Sequence, residues 1–189
     1  VVERFGDLLA EHPLRRELVA TIVANDVVNS QGLTFVTRLC VETGSTPAEV
    51  VRAYRIARDL VDAVGRWAAI DGLVGRIDDP LLDVLMRGVD SLVDGLSRWY
   101  LIHVPDRLGR AIDASREPFA RYVAVLPTIL PAHLAERVGR ERWRLVDAGA
   151  PEEIAERHAL QGLLLHAPNV VAVAAASGRD VDDVARAFL

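Results

Sequence analysis

Lysine is absent from this chain of 189 residues: all 22 of its lysine-plus-arginine positions are arginine. That absence excludes Schiff-base chemistry, the phosphate-gripping lysine of P-loops, Ser–Lys hydrolysis and any lysine general base. Cysteine is scarce as well. The single Cys40 makes neither an internal disulfide nor a multi-thiolate metal site, and its expected role is a small buried apolar residue in a reducing compartment. No apolar run reaches the roughly 18 residues of a membrane span, because Arg or Asp interrupts every candidate, and the first residues lack a basic-then-apolar leader pattern. A soluble cytoplasmic protein with no membrane partner is the expectation. G-x-G-x-x-G, G-x-x-x-x-G-K and G-x-S-x-G are all missing, so the sequence offers neither a phosphate cradle nor a nucleophile elbow. The net charge of −5 argues against a chain devoted to neutralising phosphate backbones.

What is present is apolar and helical in its spacing. Hydrophobic residues make up 51% of the chain and charged ones 26%. At roughly 100 to 200 residues per domain, residues 1–189 are expected to form one domain that buries about 70% of its unfolded surface. The first residue is Val and the last two, Phe188 and Leu189, are apolar, which suggests a C-terminal fragment of a much longer chain. From Pro13 to Asn29, Leu14, Leu18, Ile22, Val23 and Val27 read as one helical stripe. Gly32 to Thr43 forms a second helix with Phe35, Val36, Leu39 and Cys40 inward, stopped by Gly44. Thr46 with Glu49 three residues on is a capping box opening a third helix through Val50, Tyr54, Ala57 and Val61.

A short helix over 67–74 is broken by Gly72 and Gly75. The Asp78-Asp79-Pro80 start then leads into a long helix carrying Leu81, Leu85, Val89, Leu92, Leu96 and Trp99 or Tyr100 inward, ending near Val104-Pro105. Two helices are expected between Asp106 and Val125. Pro127 and Pro131 bracket the entry to another carrying Leu134, Val138, Trp143, Leu145 and Val146, which Gly149 stops. Pro151 opens the next, with Ile154, His158, Leu160 or Gln161 and Leu165 along it; Pro168 separates it from 170–176, and the last helix begins at Gly178. The fold class is therefore all-α, a multi-helix array of about ten helices.

Residues 43–54 and 177–188 repeat one pattern in register: hydroxyl, Gly, acid, Val, Arg, Ala, aromatic. Each copy reads as helix, glycine stop, polar cap, helix, giving two related αα turn units near the ends. The unit resembles a helix-turn-helix, and Arg38, Arg52, Arg55 and Arg58 lend the first copy a basic face that suits a DNA-binding regulator. The second copy argues the other way, since Asp182 and Asp183 sit where phosphates would approach. A packing hairpin is favoured, with no nucleic-acid partner. A stand-alone scaffold using Trp67, Trp99 and Trp143, each next to an arginine, is a third reading, though core packing suits those indoles better.

Asn25, Asp26 and Asn29 cluster at the end of the first helix, with the two amides on one face, and form the candidate polar site. Satisfying helix-end carbonyls and the next helix's N–H groups is the favoured explanation of them. His12, His103, His133, His158 and His166 match no metal template. His133 and Glu136 give one H-x-x-E where a di-iron bundle needs two, and His158 with His166 lie on one expected helix within reach of a common groove. The acidic pairs Asp78-Asp79, Glu152-Glu153 and Asp182-Asp183 fall at helix starts, where they complement the dipole.

His12 through Thr21, Ala24 to Asn29, Gly32, Thr34-Phe35 and Glu42 through Tyr54, with Arg98-Trp99, resemble the C-terminal region of the large bacterial NAD-specific glutamate dehydrogenases. The similarity covers residues from about 1 to 104, and beyond them only the general helical pattern corresponds. The resemblance implies a parent that oxidatively deaminates L-glutamate to 2-oxoglutarate and ammonium with NAD, its nucleotide fold and catalytic lysines lying upstream. It implies no catalytic, cofactor-binding or metal residue in this chain. The implied role is packing, assembly or regulation, against the catalytic domain of the same chain and against sister subunits.

Overall fold

The computed structural model describes residues 12–104 and 108–189, with the backbone alone over 109–113. Ten helices occur among the described residues, in the order α1 (Arg15–Gln31), α2 (Phe35–Thr43), α3 (Pro47–Leu60), α4 (Ala63–Asp71), α5 (Asp79–His103), α6 (Leu108–Ile129), α7 (Ala132–Asp147), α8 (Glu152–Leu164), α9 (Ala167–Ser177) and α10 (Val181–Phe188). No strand is found among those residues.

The long helix α5 is the axis. Its inward residues Leu81, Leu85, Val89, Leu92, Leu96 and Tyr100 recur at helical spacing and are buried against α1 to α4 on one side and α8 on the other. A second group forms around α6, which takes α9 and α10 on its surface and reaches back to α3. Helices α7 and α8 make a hairpin joined to the axis through α8. One continuous apolar cluster runs from Val27 to Ala185.

The expected caps are in place. Thr46 accepts from the Glu49 N–H while the Glu49 carboxylate accepts from the Thr46 N–H at 2.7 Å, closing the capping box. Gly44 and Gly178 stop α2 and α9 at φ 71° and 67°, the left-handed region where a side chain is disfavoured. Thr46 and Asp180 then cap the following helices, so both turn units exist as expected.

Four expectations are corrected. Of the α1 stripe, only Val27 is buried, whereas Leu14 and Ile22 are 56% and 62% exposed. Thirteen residues separate Leu14 from Val27, about 220° around the axis at 100° per residue, so the two ends of the stripe face different ways. Between Asp106 and Val125 a single helix forms rather than two, as far as the described residues extend, with Pro118 and Pro127 inside it. Losing one backbone bond at Pro118 costs about 3 kcal/mol. The stripe Phe119, Tyr122 and Leu126 spans that region and is fully buried, each side chain contributing about 1.5–3 kcal/mol, so burial prevails.

On α7, Trp143 is 67% exposed and Val146 is exposed too, because α7 packs chiefly on α8 and needs only a narrow stripe. Leu134, Val138 and Leu145 lie within about 40° of each other on that stripe, and Trp143 lies about 180° from Leu134. Last, His158 and His166 are not on one helix. Helix α8 ends at Leu164 and His166 stands at the N-terminal cap of α9.

Candidate functional site

Asp26, Asn29 and Ser30, on the last two turns of α1, line an open groove of about 890 Å³ whose other wall is Val64 and Trp67 of α4 with Met86 and Asp90 of α5. Asn25 is not among the residues that line the groove, and both it and Asn29 are exposed. The polar groups of the groove are mostly engaged. The Arg58 guanidinium donates to the Asp26 carboxylate and also to Asp59. The Ser30 hydroxyl lies 2.7 Å from both the Asp26 carbonyl and the Tyr54 hydroxyl. Trp67 Nε1–H donates to Asp90 Oδ1 at 2.9 Å.

Burial pushes the Asp90 carboxyl above its ordinary range, and the Trp67 N–H pulls it back in part. Burial likewise raises the Tyr54 phenol. Two carboxylates therefore share a groove, but one is neutralised by an arginine and the other is held by an indole. No nucleophile stands beside a free base. The arrangement suits fastening α1 to α4 and α5. Ser30 lies one turn after Asp26 and belonged with the cluster, while Trp67 and Asp90 are far away in sequence and no local signal joined them to it.

The basic face of the first turn unit is largely spent on internal pairing. Arg38 donates to Asp94 and lies 3.5 Å from Glu42, and Arg98 bridges the same two carboxylates, so α2 is tied to α5 by a four-residue network. Arg52 and Arg55 remain exposed. In the second unit Asp182 receives both arms of Arg121 at 2.7 and 2.6 Å, which clamps α10 to α6. That bidentate contact holds the Asp182 carboxyl below its usual range.

Among the histidines, His158 is half-buried against α5 beside Gln161, and its desolvation lowers its pKa. His166 packs on Phe188 with ring centroids 5.4 Å apart. His133 and Glu136 are both exposed. No group of three metal-ligating side chains occurs among the described residues. The tryptophans divide in role: Trp99 donates to Asn169 Oδ1 at 2.8 Å and stacks on His103, Trp67 closes the groove, and Trp143 faces solvent. Cys40 is a half-buried free thiol.

Over residues 1–189 the chain matches the protein family described as Glutamate dehydrogenase, C-terminal. It is 32% identical over 192 residues to the NAD-specific glutamate dehydrogenase of Halomonas elongata and 33% identical over 193 residues to that of Pseudomonas aeruginosa. Each of these alignments takes in 100% of this chain and 12% of the relative. A third relative, the NAD-specific glutamate dehydrogenase of Mycobacterium tuberculosis, is 32% identical over 160 residues, 82% of this chain and 10% of its own length. The similarity thus extends through the second half of the chain, past the residues from which it was legible by motif.

Proposed function

This chain belongs to the glutamate dehydrogenase C-terminal family, and on that premise we propose that it is a non-catalytic helical domain serving an NAD-dependent glutamate dehydrogenase. The parent reaction is L-glutamate, NAD⁺ and water giving 2-oxoglutarate, ammonium, NADH and a proton. The carrying observation is that the match runs over the whole chain while the chain spans only 12% of its curated relatives. The hydride-transfer machinery is placed in the remainder of the parent.

The described residues offer no feature that assigns a nicotinamide dinucleotide to them. They contain no strand leading into a glycine-rich turn, and Gly44 and Gly178 are isolated helix stops. Lysine, which the parent is expected to use on glutamate, is missing throughout. We therefore assign no cofactor and no catalytic residue to this domain; a cytoplasmic location for the parent is a separate proposal, motivated by the single cysteine, Cys40.

The packing partner is assigned to the outer face of α1. Leu18, Val19 and Ile22 are 38%, 50% and 62% exposed and line a hollow of about 970 Å³ rimmed by Arg15, Arg55 and Arg58. An apolar strip rimmed by arginine suits a protein surface carrying carboxylates. The proposed occupant is the catalytic region of the same polypeptide, which in the relatives makes up most of the length. Contact with sister subunits belongs to the same proposal. In the full-length protein, Leu18→Glu with Ile22→Glu should loosen this docking, so that limited proteolysis releases the domain sooner while its helix content is kept. Cleavage at the parental rate would overturn the assignment of this face.

A further inference from the structure

Five arginines among the described residues are partly rather than fully exposed: Arg38, Arg58, Arg66, Arg98 and Arg142. Four of them have a carboxylate within salt-bridge distance, namely Asp94 and Glu42 for Arg38 and Arg98, Asp26 and Asp59 for Arg58, and Glu152 for Arg142. Arg66 has none among the described residues. Its Nε–H donates to the Val61 carbonyl at 2.7 Å, which fixes the plane of the guanidinium and leaves both terminal nitrogens without a protein acceptor there. A half-buried cation that makes no salt bridge is costly to keep, and structures usually place a carboxylate in contact with it.

The surroundings of Arg66 show what takes the place of that carboxylate. Two hollows, of about 20 and 360 Å³, are both lined by Arg66 of α4 and Arg157 of α8. Burial lowers the pKa of Arg66, the charge of Arg157 adds to that effect, and the carboxylate of Asp62 opposes it without forming a salt bridge. Asp62 is the only carboxylate in the wall of the larger hollow, and its side chain accepts the Gly65 N–H as the cap of α4. The partner of Arg157 is Glu153, on the solvent side of α8. The floor of the larger hollow is apolar, made by Phe119, Val123 and Leu164. In the smaller one, Gln161 Oε1 is buried and unpartnered, so that hollow presents an acceptor and the oxyanion is assigned to the larger one.

We propose that the cleft between α4, α6 and α8 is a binding site for a small organic oxyanion, whose charged end sits between Arg66 and Arg157 and whose carbon skeleton lies on Phe119 and Val123. Two guanidinium groups lining one cleft, one of them held through its Nε, suit the planar geometry of a carboxylate or phosphate oxyanion. The site stands apart from the groove at Asp26 and needs nothing from the parent's reaction.

The test is side-chain ¹⁵N NMR of this chain at fixed ionic strength, following the Arg66 Nε–H resonance as succinate or inorganic phosphate replaces chloride. A saturable shift is expected with at least one of the two, and the tighter of them identifies the site as one for carboxylates or for phosphate groups. Arg157→Gln, on the exposed rim, should weaken that binding by about tenfold or more, the order expected for losing a charge-assisted hydrogen bond, with the helical circular dichroism unchanged. A linear drift equal to that produced by chloride, or saturation that Arg157→Gln leaves untouched, would overturn the proposal.

Discussion

Gly88, in the middle of α5, provides a test of how the axis is packed. A Cβ built there lies 2.9 Å from His158 Nδ1 and closer still to His158 Cε1 and Gln161 Nε2. Alanine is favoured over glycine in a helix interior by about 1 kcal/mol, so on propensity alone Gly88→Ala would stabilise the chain. Overpacking works against that gain and costs about 1–3 kcal/mol. The end of Gln161 is flexible and moves cheaply. The His158 ring is half-buried between α5 and α8 and does not, so we expect a net loss of up to about 2 kcal/mol.

Gly139 on α7 is the control, because its Cβ would meet nothing within 4 Å. Gly139→Ala should gain about 1 kcal/mol, and the difference between the two variants isolates the steric cost. Gly95→Ala is intermediate, since its Cβ meets chiefly the movable Cδ2 of Leu165, at 2.6 Å. Urea and thermal unfolding followed by circular dichroism measure all three, with a shift of roughly 2–4 °C for each kcal/mol in a domain of this size. Equal stabilisation by Gly88→Ala and Gly139→Ala would refute the packing of α8 on α5 described above.

Other outcomes follow from the same geometry. Tyr54→Phe removes a fully buried hydroxyl 2.7 Å from Ser30, so denaturant unfolding should register a loss of about 1 kcal/mol; an unchanged midpoint would mean that this bond adds nothing. Burial holds His158 below its ordinary 6.5, with Arg144 and Arg66 acting in the same sense and Glu141 against them. The unfolded ring therefore takes up a proton first as the solution is acidified. The stability due to a neutral His158 is complete above pH 6.5 and is lost as pH falls toward the folded value, and unfolding of His158→Gln should be flatter across that interval. Tyr54, Tyr100 and Tyr122 are the only tyrosines, and burial raises all three phenols, Tyr122 to about 12. Their contribution is fully present below pH 10 and is lost as pH rises through the folded values, so tyrosinate absorbance should appear together with loss of helix. Tyrosinate formed at pH 10 with the helix signal intact would contradict their burial.

Helix existence and helix ends were legible in the sequence because they depend on local chemistry. Thr46 with Glu49 and the stops at Gly44 and Gly178 involve residues within a turn of one another, and they occur as read. Which face of a helix is covered depends on its neighbours, and there the pattern misled. Leu14 to Val27 drift around α1 faster than a stripe allows, and Trp143 sits on the side of α7 away from α8, its main partner. Two helices were expected between Asp106 and Val125, where α6 is one helix containing Pro118, a residue type that disfavours the helical region for its predecessor. Phe119, Tyr122 and Leu126 carry α6 through it by burying their side chains against partners distant in sequence.

The polar cluster was half legible for a similar reason. Asp26 and Asn29 share a helix face, but Asp90 and Trp67, which complete the groove, and Arg58, which neutralises Asp26, come from three other helices.

The most direct measurement is NADH formation from L-glutamate and NAD⁺ by this 189-residue chain alone, set beside the full-length polypeptide under identical conditions. We expect no turnover above the buffer rate from the chain and steady turnover from the complete protein. Glutamate-dependent NADH production by the isolated chain would contradict the assignment of these helices to architecture.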